Sequence, residues 1–156
     1  MLERIAMYAK ILLKAETSAV YLSEPDKPLL NAVAAIGADS EEIKNDPIET
    51  GIGILGNIAL RKSGEIVNKT INDPRTVIVK GTQVEINEHI MGVSVLNKDN
   101  LTGLLVVWRN GVDKEFKATE LGFLSSLAQQ VAVAIENARL FEEERKRRQE
   151  AENLRL

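Results

Sequence analysis

The chain has 156 residues, a length that fits one domain with a single core, and a formal net charge of −3 from 20 basic and 23 acidic residues. No basic face carries interleaved aromatic side chains, so the sequence does not support nucleic-acid binding. It contains no cysteine, which excludes disulfides, thiolate metal sites, cysteine nucleophiles and thioether-linked chromophores. No apolar run reaches the roughly 20 residues of a membrane span, and no signal-peptide pattern is present, so we expect a cytoplasmic location without membrane contact.

In chain order, the pattern predicts helices at both ends and hairpins between them. Apolar residues at three- and four-residue spacing predict helices at 2–13, 51–61 and from 121 onward. Strand-forming runs lie at 18–22, 29–34, 65–68, 89–96 and 101–109. Residues 37–50 are predicted to be loop with a short helix, and 72–88 to be an irregular segment of a length that is often functional. This order predicts an α+β fold with an antiparallel sheet.

The last predicted helix changes its chemistry near Phe141. Before that residue, one apolar stripe at three- and four-residue spacing runs through Leu121, Leu124, Ala128, Val131, Ile135 and Ala138. A second apolar line runs through Phe123, Leu127, Ala134 and Phe141, so the apolar arc is wider than one packing contact needs. Either the whole arc covers the domain's own sheet, or one line covers the sheet and the other meets a partner helix. The alanines favour the second alternative.

Beyond Phe141, residues 142–150 (EEERKRRQE) contain no apolar side chain. Acid-before-base pairs at four-residue spacing stabilise an exposed helix, and the sequence predicts three of them: Glu142/Lys146, Glu143/Arg147 and Glu144/Arg148. We therefore expect the chain to be a piece of a longer protein in which this helix is a connector.

Residues 51–56 (GIGILG) match the G-x-G-x-x-G pattern of dinucleotide-binding loops, and Asp73 lies about 20 residues further on, where that pattern has an acidic residue. The pattern requires a preceding buried strand in a parallel sheet, and residues 45–50 are no such strand. The favoured explanation of the glycines is close backbone packing, or helix-start amides that face a bound anion.

No residue set predicts catalysis. His89 is the single histidine and is expected to be a polar strand residue rather than a haem ligand, and Trp108 is expected in the core. The carboxylates Asp39, Glu41, Glu42, Asp46 and Glu49 are predicted to be solvated loop charges. We therefore expect that the chain is not an enzyme.

Several segments in this order resemble a GAF domain, the small-molecule sensor module of signalling proteins. They are the glycine-containing helix start at 51–56, the N-D-P-R loop at 72–75, the hairpin strands at 91–96 and 103–107, Phe116 with Glu120 and Leu121, and residues 129–140. The last segment, QQVAVAIENARL, is similar to the family's closing helix almost residue for residue.

The resemblance implies a GAF-like (PAS/profilin-like) antiparallel sheet of about five to six strands, with the N- and C-terminal helices packed on one face. It implies a sensor domain over residues 1–141 and a charged helical linker over 142–156 that leads to an output domain beyond Leu156. Carried over by position, the ligand contacts are Gly53, Ile54, Asn72, Asp73, Thr76, Thr82 and Ser94. The stripe from Leu121 to Ala138 becomes the dimerisation and signalling helix of a homodimer.

Some GAF domains that bind cyclic nucleotides carry an N-K…F-x-x-x-D-E signature in which the lysine pairs with the aspartate. Asn97, Lys98, Phe116 and Glu120 fill four of its positions, with Glu in place of Asp. The ligand is unknown, with a cyclic nucleotide as one candidate. The lack of cysteine argues against a covalent bilin and against the family's methionine-sulfoxide-reducing enzymes.

The implied function is non-catalytic ligand sensing in a multidomain signalling protein, such as a histidine kinase or nucleotide cyclase, relayed through the C-terminal helix. The alternatives are a GAF fold with a vestigial pocket that acts only as a dimerisation and spacer module and, more remotely, a dinucleotide-binding enzyme.

Overall fold

The computed structural model describes residues 1–76 and 85–155. Its strands are β1 (Thr17–Ser23), β2 (Leu29–Gly37), β3 (Ile48–Glu49), β4 (Gly64–Val67), β5 (Glu88–Asn97) and β6 (Asn100–Asn110). Its helices are α1 (Leu2–Leu12), α2 (Ser40–Lys44), α3 (Gly53–Arg61) and α4 (Ala118–Leu154), with a 3-10 turn at Thr70–Asn72. The predicted α+β class is confirmed, and the strand that the sequence did not predict is the two-residue β3.

All six strands lie in one sheet in the order β3-β2-β1-β6-β5-β4, and every neighbouring pair in it is antiparallel. Both predicted hairpins are present, β1 with β2 and β5 with β6. Lys98 and Asp99 join β5 to β6 with positive φ angles of 50° and 70°, as a tight two-residue hairpin turn requires. An antiparallel sheet does not provide the parallel β-α-β unit of a dinucleotide fold, so that alternative is wrong.

The two faces of the sheet carry separate cores. On one face, side chains of β5 and β6 such as Met91, Leu105 and Val107 pack against α1 and α4. On the other face, Tyr21, Leu104 and Val106 belong to a core that includes α2 and α3. Because strand side chains alternate between faces, one strand contributes to both cores, and both terminal helices lie on the same face, as predicted.

The apolar stripe on α4 faces the domain's own sheet. Leu124, Ala128 and Val131 are buried there, so these three residues do not face a partner helix as the sequence reading assigned them. Of the rest, Leu121 and Ile135 pack partly against the same core, and Ala138 is exposed. Leu127 of the second apolar line is buried in the same core, whereas Phe123, Val133, Leu140 and Phe141 lie on the exposed side of α4.

Helix α4 is continuous over 37 residues, or about 55 Å at 1.5 Å per residue. Of the three predicted ion pairs, only Glu144–Arg148 is present, at 3.3 Å. Glu142 pairs with Arg145 at 2.8 Å and Glu143 with Arg139 at 2.9 Å, because three-residue and reverse pairings are equally within reach on a helix surface. The boundary between domain and linker at Phe141 stays a prediction. Within the described ranges, no helix is both long enough and apolar enough to cross a bilayer.

Candidate ligand-binding site

A cavity of about 600 Å³ lies on the sheet face opposite α1 and α4. Tyr21, Ile90 and Trp108 from the sheet and Ile54 and Leu55 from α3 form its apolar walls. Residues that follow β2, and the turn at Thr70–Asn72 with the residues after it, complete the lining. Small-molecule sites in proteins have volumes of about 300–1,000 Å³ and mostly apolar walls, so this cavity has the size of a ligand site.

The structure brings together four of the seven ligand contacts that the resemblance implies: Gly53, Ile54, Asp73 and Thr76 line the cavity. Asn72 and Ser94 are not part of the lining. The hydroxyl of Ser94 instead donates to the carbonyl oxygen of Ile58 over 3.0 Å, which fastens the end of α3 to the sheet. Thr82 lies outside the described residues.

Arg75 holds the N-D-P-R loop against the rest of the domain. Its guanidinium donates to Asp73 at 2.8 Å, to Glu65 of β4 at 2.6 Å and to the Asn57 side chain of α3 at 2.9 Å. These hydrogen bonds from Arg75 lower the pKa of both carboxyl groups below their ordinary values. Asp73 is therefore ionised and engaged by a cation within the loop, which leaves it less free to bind a ligand.

The glycines of the G-x-G-x-x-G segment serve close backbone packing, one of the two roles expected of them. A Cβ on Gly56 would lie 2.3 Å from the carbonyl oxygen of Glu49, and the N–H of Gly51 donates to the carbonyl oxygen of Gly56 over 2.7 Å. Gly53, with a φ of 74°, begins α3 in a conformation that other residues rarely adopt.

His89 is fully buried, and both of its ring nitrogens are used inside the fold. Nδ1 accepts from the N–H of Lys69 at 3.0 Å, and Nε2 lies 2.9 Å from the carbonyl oxygen of Gly111, to which it donates. These bonds tie β5 to the segments on either side of it. His89 is a structural residue, and Trp108 packs partly against the core while its side chain also lines the cavity.

Sequence reasoning missed the acidic character of the cavity. Asp39, Asp46 and Glu49, which were expected to be solvated loop charges, line it together with Glu16, Glu85 and Glu88. Burial raises the pKa of Glu88, and the neighbouring carboxylates of Glu85 and Asp39 raise it further. Burial also raises the pKa of Tyr21, with an added contribution from the charge of Asp46. These residues come from separate segments of the chain, and no local spacing in the sequence signals that they meet.

The four residues that match the cyclic-nucleotide signature do not form its lysine–acid pair. Glu120 pairs with Arg109 of β6, and its carboxylate also accepts from the N–H of Lys117 at 2.9 Å, where it supports the start of α4. At the other end of the sheet, the side chain of Asn97 donates to Glu136 over 2.9 Å. Because α4 rises about 1.5 Å per residue, the 16 residues between Glu120 and Glu136 separate the two contacts by about 24 Å.

Comparison with known proteins decides the family. The sequence model of the GAF domain matches residues 1–135. This chain belongs to the GAF domain family. No curated protein sequence matches it.

Solved GAF structures share the fold. The GAF domain of a phosphoenolpyruvate-protein phosphotransferase from Coxiella burnetii superimposes with a TM-score of 0.80 and 18% identity over 91% of this chain and 84% of that one. The second GAF domain of DevS from Mycobacterium smegmatis gives a TM-score of 0.74 and 18% identity over 91% of this chain and 95% of that one. The free methionine-R-sulfoxide reductase of Neisseria meningitidis, in complex with its substrate, gives a TM-score of 0.69 and 17% identity over 88% of this chain and 78% of that one. At such identities the likeness establishes the GAF fold and transfers no ligand.

Proposed function

We propose that this GAF domain is a cytoplasmic regulatory module that binds a small molecule in the cavity and relays its occupancy through α4 to an output domain of the same protein. The observation that carries the proposal is the cavity itself. It encloses about 600 Å³ beside α3, on the face of the sheet that the output helix does not cover. A ligand there is separated from α4 by one layer of strands.

The end of β6 offers a physical path across that layer. Trp108 and Asn110 line the cavity, and Arg109 between them belongs to the other face because strand side chains alternate. The guanidinium of Arg109 donates to the carbonyl oxygen of Leu13 just after α1, with Nε at 3.0 Å, and pairs with Glu120 in the first turn of α4. A ligand that shifts β6 at Trp108 or Asn110 would thereby change the position of both terminal helices. The relay requires that ligand binding favours one of two helix positions.

The proposal includes a homodimer formed through the terminal helices. Leu140 and Phe141 on α4 are 48% and 73% exposed, and Ile11 and Leu12 on α1 are 59% and 61% exposed. Contiguous exposed apolar side chains are typical of interaction sites, and Leu140 and Phe141 are adjacent on α4, as Ile11 and Leu12 are on α1. In this form of the proposal the partner is met by the exposed line of α4, defined as Phe123, Val133, Leu140 and Phe141, and not by the sheet-facing stripe.

A cyclic nucleotide is the less favoured ligand. Its phosphate is an anion, and the described lining contains seven carboxylates and no lysine or arginine. The lysine–acid pair of the cyclic-nucleotide signature is not formed either, since Glu120 pairs with Arg109. We also propose a binding role rather than a catalytic one, and turnover of a bound compound would contradict that part.

The second candidate function is a dimerisation and spacer module with a vestigial pocket. The continuous α4 favours it, because a long helix can connect domains without any ligand. Thermal denaturation against a panel of cyclic nucleotides, purines, amino acids, amines and carboxylates separates the two functions. A ligand at 100 times its Kd is expected to raise Tm by about 5 °C or more, because it stabilises the folded state by about 2.7 kcal/mol.

A matched pair of variants assigns any such shift to the cavity. Ala38 is exposed and lines the cavity, so Ala38→Trp places a large ring in the ligand space without disturbing the core. Ala151→Trp adds the same ring to the exposed end of α4. Loss of the ligand-induced shift in A38W but not in A151W supports sensing. No shift with any compound favours the spacer.

A further inference from the structure

One end of the cavity is an acidic corner made of Glu16, Asp39, Glu85 and Glu88. The sheet register brings these residues together. Thr17 pairs with both Gly37 and Trp108, which places Glu16 and Asp39 near the end of β6, and Glu88 pairs with Asn110 on that same strand. The corner therefore lies where the start of β1, the end of β2, the start of β5 and the end of β6 meet. Its charges come from parts of the chain that are distant in sequence.

The acidic corner presents hydrogen-bond acceptors and few donors. One oxygen of Glu16 accepts from the N–H of Asn110 at 3.0 Å, and one oxygen of Glu88 accepts from the hydroxyl of Thr70 at 3.0 Å. Within the described part of the chain, the side-chain oxygen of Asn110 is buried and has no hydrogen-bond partner. A buried acceptor without a donor costs free energy, so the corner is suited to a group that donates several hydrogen bonds.

The charge of the lining has one sign. Among the described residues that line the cavity, seven are carboxylates and none is a lysine or arginine. Asp73 is the one that Arg75 already neutralises. Residues 77–84, which are outside the described ranges, contain one charged residue in sequence, Lys80. A cation in the cavity would relieve this repulsion, and an anion would increase it.

The rest of the lining indicates that an organic cation fits the cavity better than a metal ion does. Within residues 1–76 and 85–155, no group of three carboxylate or histidine side chains is placed to hold a metal ion. The apolar walls include two aromatic residues, Tyr21 and Trp108, together with Ile54 and Ile90. Aromatic rings next to carboxylates bind organic ammonium ions through both charge and ring faces. An ammonium group has three donors and no acceptor, which matches the acidic corner.

We propose that the ligand of this GAF domain is a small organic amine, with its ammonium group in the acidic corner and its apolar or aromatic body between Tyr21, Trp108 and α3. This inference rests on the proposed sensing function and names the chemical class of the ligand that the cavity takes.

The test compares probes that share one body and differ in charge. Tryptamine, tryptophol and indole-3-acetate carry an indole ring with an amine, a hydroxyl and a carboxylate, and phenethylamine, 2-phenylethanol and phenylacetate repeat the series on a smaller ring. Affinities are measured for the whole chain at pH 7 by titration calorimetry or NMR. We expect each amine to bind about tenfold more tightly than its alcohol, and each acid to bind most weakly, because partly buried charges interact strongly.

Charge-neutral variants test the acidic corner itself. Glu88→Gln keeps the size of the side chain and its bond from Thr70, and it should reduce the amine-to-alcohol affinity ratio about threefold. Asp39→Asn, in the same corner and at a position with a φ of 60° that asparagine tolerates, is a second variant should the first prove unstable. Glu41→Gln removes a carboxylate of α2 that does not line the cavity, and it should leave the ratio unchanged.

The outcomes separate the two proposals. Amine preference that falls in E88Q or D39N but not in E41Q supports the inference. If the alcohol or the acid binds as tightly as the amine, or if a compound from the thermal panel binds at the A38W-sensitive site while no amine does, the inference is overturned and the sensing function stands. If no compound of either panel binds, both are overturned.

Discussion

Arg109 and Glu120 join the end of the sheet to the start of α4, with Nη1 of Arg109 donating to Oε1 of Glu120 over 3.2 Å and Nη2 bonded to Oε2. The same guanidinium lies 4.3 Å from the ring centroid of Phe116 and bonds to the carbonyl oxygen of Leu13. One side chain of β6 thus contacts α4 and the chain just after α1. Because its neighbours Trp108 and Asn110 line the cavity, this ion pair connects the cavity-lining end of β6 to α4.

Replacing Glu120 by Gln should destabilise the domain. The Glu120 and Arg109 side chains are 24% and 10% exposed, so the pair is largely shielded from water. Losing hydrogen bonds between charged groups in such a place is expected to lower the free energy of unfolding by about 1–3 kcal/mol. Urea denaturation measures this difference. Glu142→Gln, which removes an exposed partner of Arg145, is the control and should leave the midpoint unchanged. An E120Q midpoint equal to that of the wild type would contradict the prediction.

The contribution of Glu120 should also depend on pH. Burial alone would raise its pKa, but hydrogen bonds from Arg109 and from the Lys117 N–H lower the pKa below its ordinary value. A carboxyl group with a lowered pKa in the folded state stabilises the fold above its unfolded pKa, and this stabilisation is lost as pH falls through the folded pKa. The stability difference between wild type and E120Q should therefore be constant near neutral pH and shrink below about pH 4.3. A difference that grows in acid would sink the assignment.

Two glycine-to-alanine substitutions should have opposite effects. At Gly56 the new Cβ would lie 2.3 Å from the carbonyl oxygen of Glu49, and the strain should lower stability by about 1–3 kcal/mol. At Gly122, within α4, no atom beyond the neighbouring residues and the backbone of the helix itself lies within 4 Å of the new Cβ, and Ala should raise stability by about 0.5–1 kcal/mol through its higher helix propensity. Chemical denaturation of both variants checks the pair. A G56A variant as stable as the wild type would show that the packing at Glu49 is not tight.

Charges on the exposed line of α4 should weaken the proposed homodimer without unfolding the domain. Leu140→Glu combined with Phe141→Glu places two carboxylates where apolar side chains are 48% and 73% exposed. Sedimentation at high micromolar concentration should show a dimer for the wild type and a monomer for the double variant, with the same circular dichroism.

The control is Val112→Glu, at a position that is 70% exposed in the loop between β6 and α4 and outside both terminal helices, and it should remain dimeric. Val131→Asp would discriminate little, because Val131 is buried against the sheet and its loss would damage the fold as well. A wild-type protein that sediments as a monomer would contradict the dimer.

The elements of this domain could be predicted because each has a local signal. The three- and four-residue spacing of apolar residues indicated α1 and α4, and β-rich runs around Pro25–Pro28 and Asn97–Asn100 indicated the hairpins. Strand β3 was missed because two residues, Ile48 and Glu49, carry no periodicity. On α4 the sequence showed two apolar lines, and spacing alone could not tell that the sheet buries most of the first line together with Leu127 of the second.

The residues around the cavity could not be predicted from local sequence signals. By itself, the sequence determined the α+β class, the order of helices and hairpins, and the resemblance to the GAF family, since these follow from periodicity and short motifs along the chain. Only the tertiary structure decided that Glu16, Asp39 and Glu88 meet at one corner, and that Glu120 pairs with Arg109 rather than Lys98. Such contacts depend on strand register and on the alternation of side chains between two faces, which join residues tens of positions apart and leave no trace in local spacing.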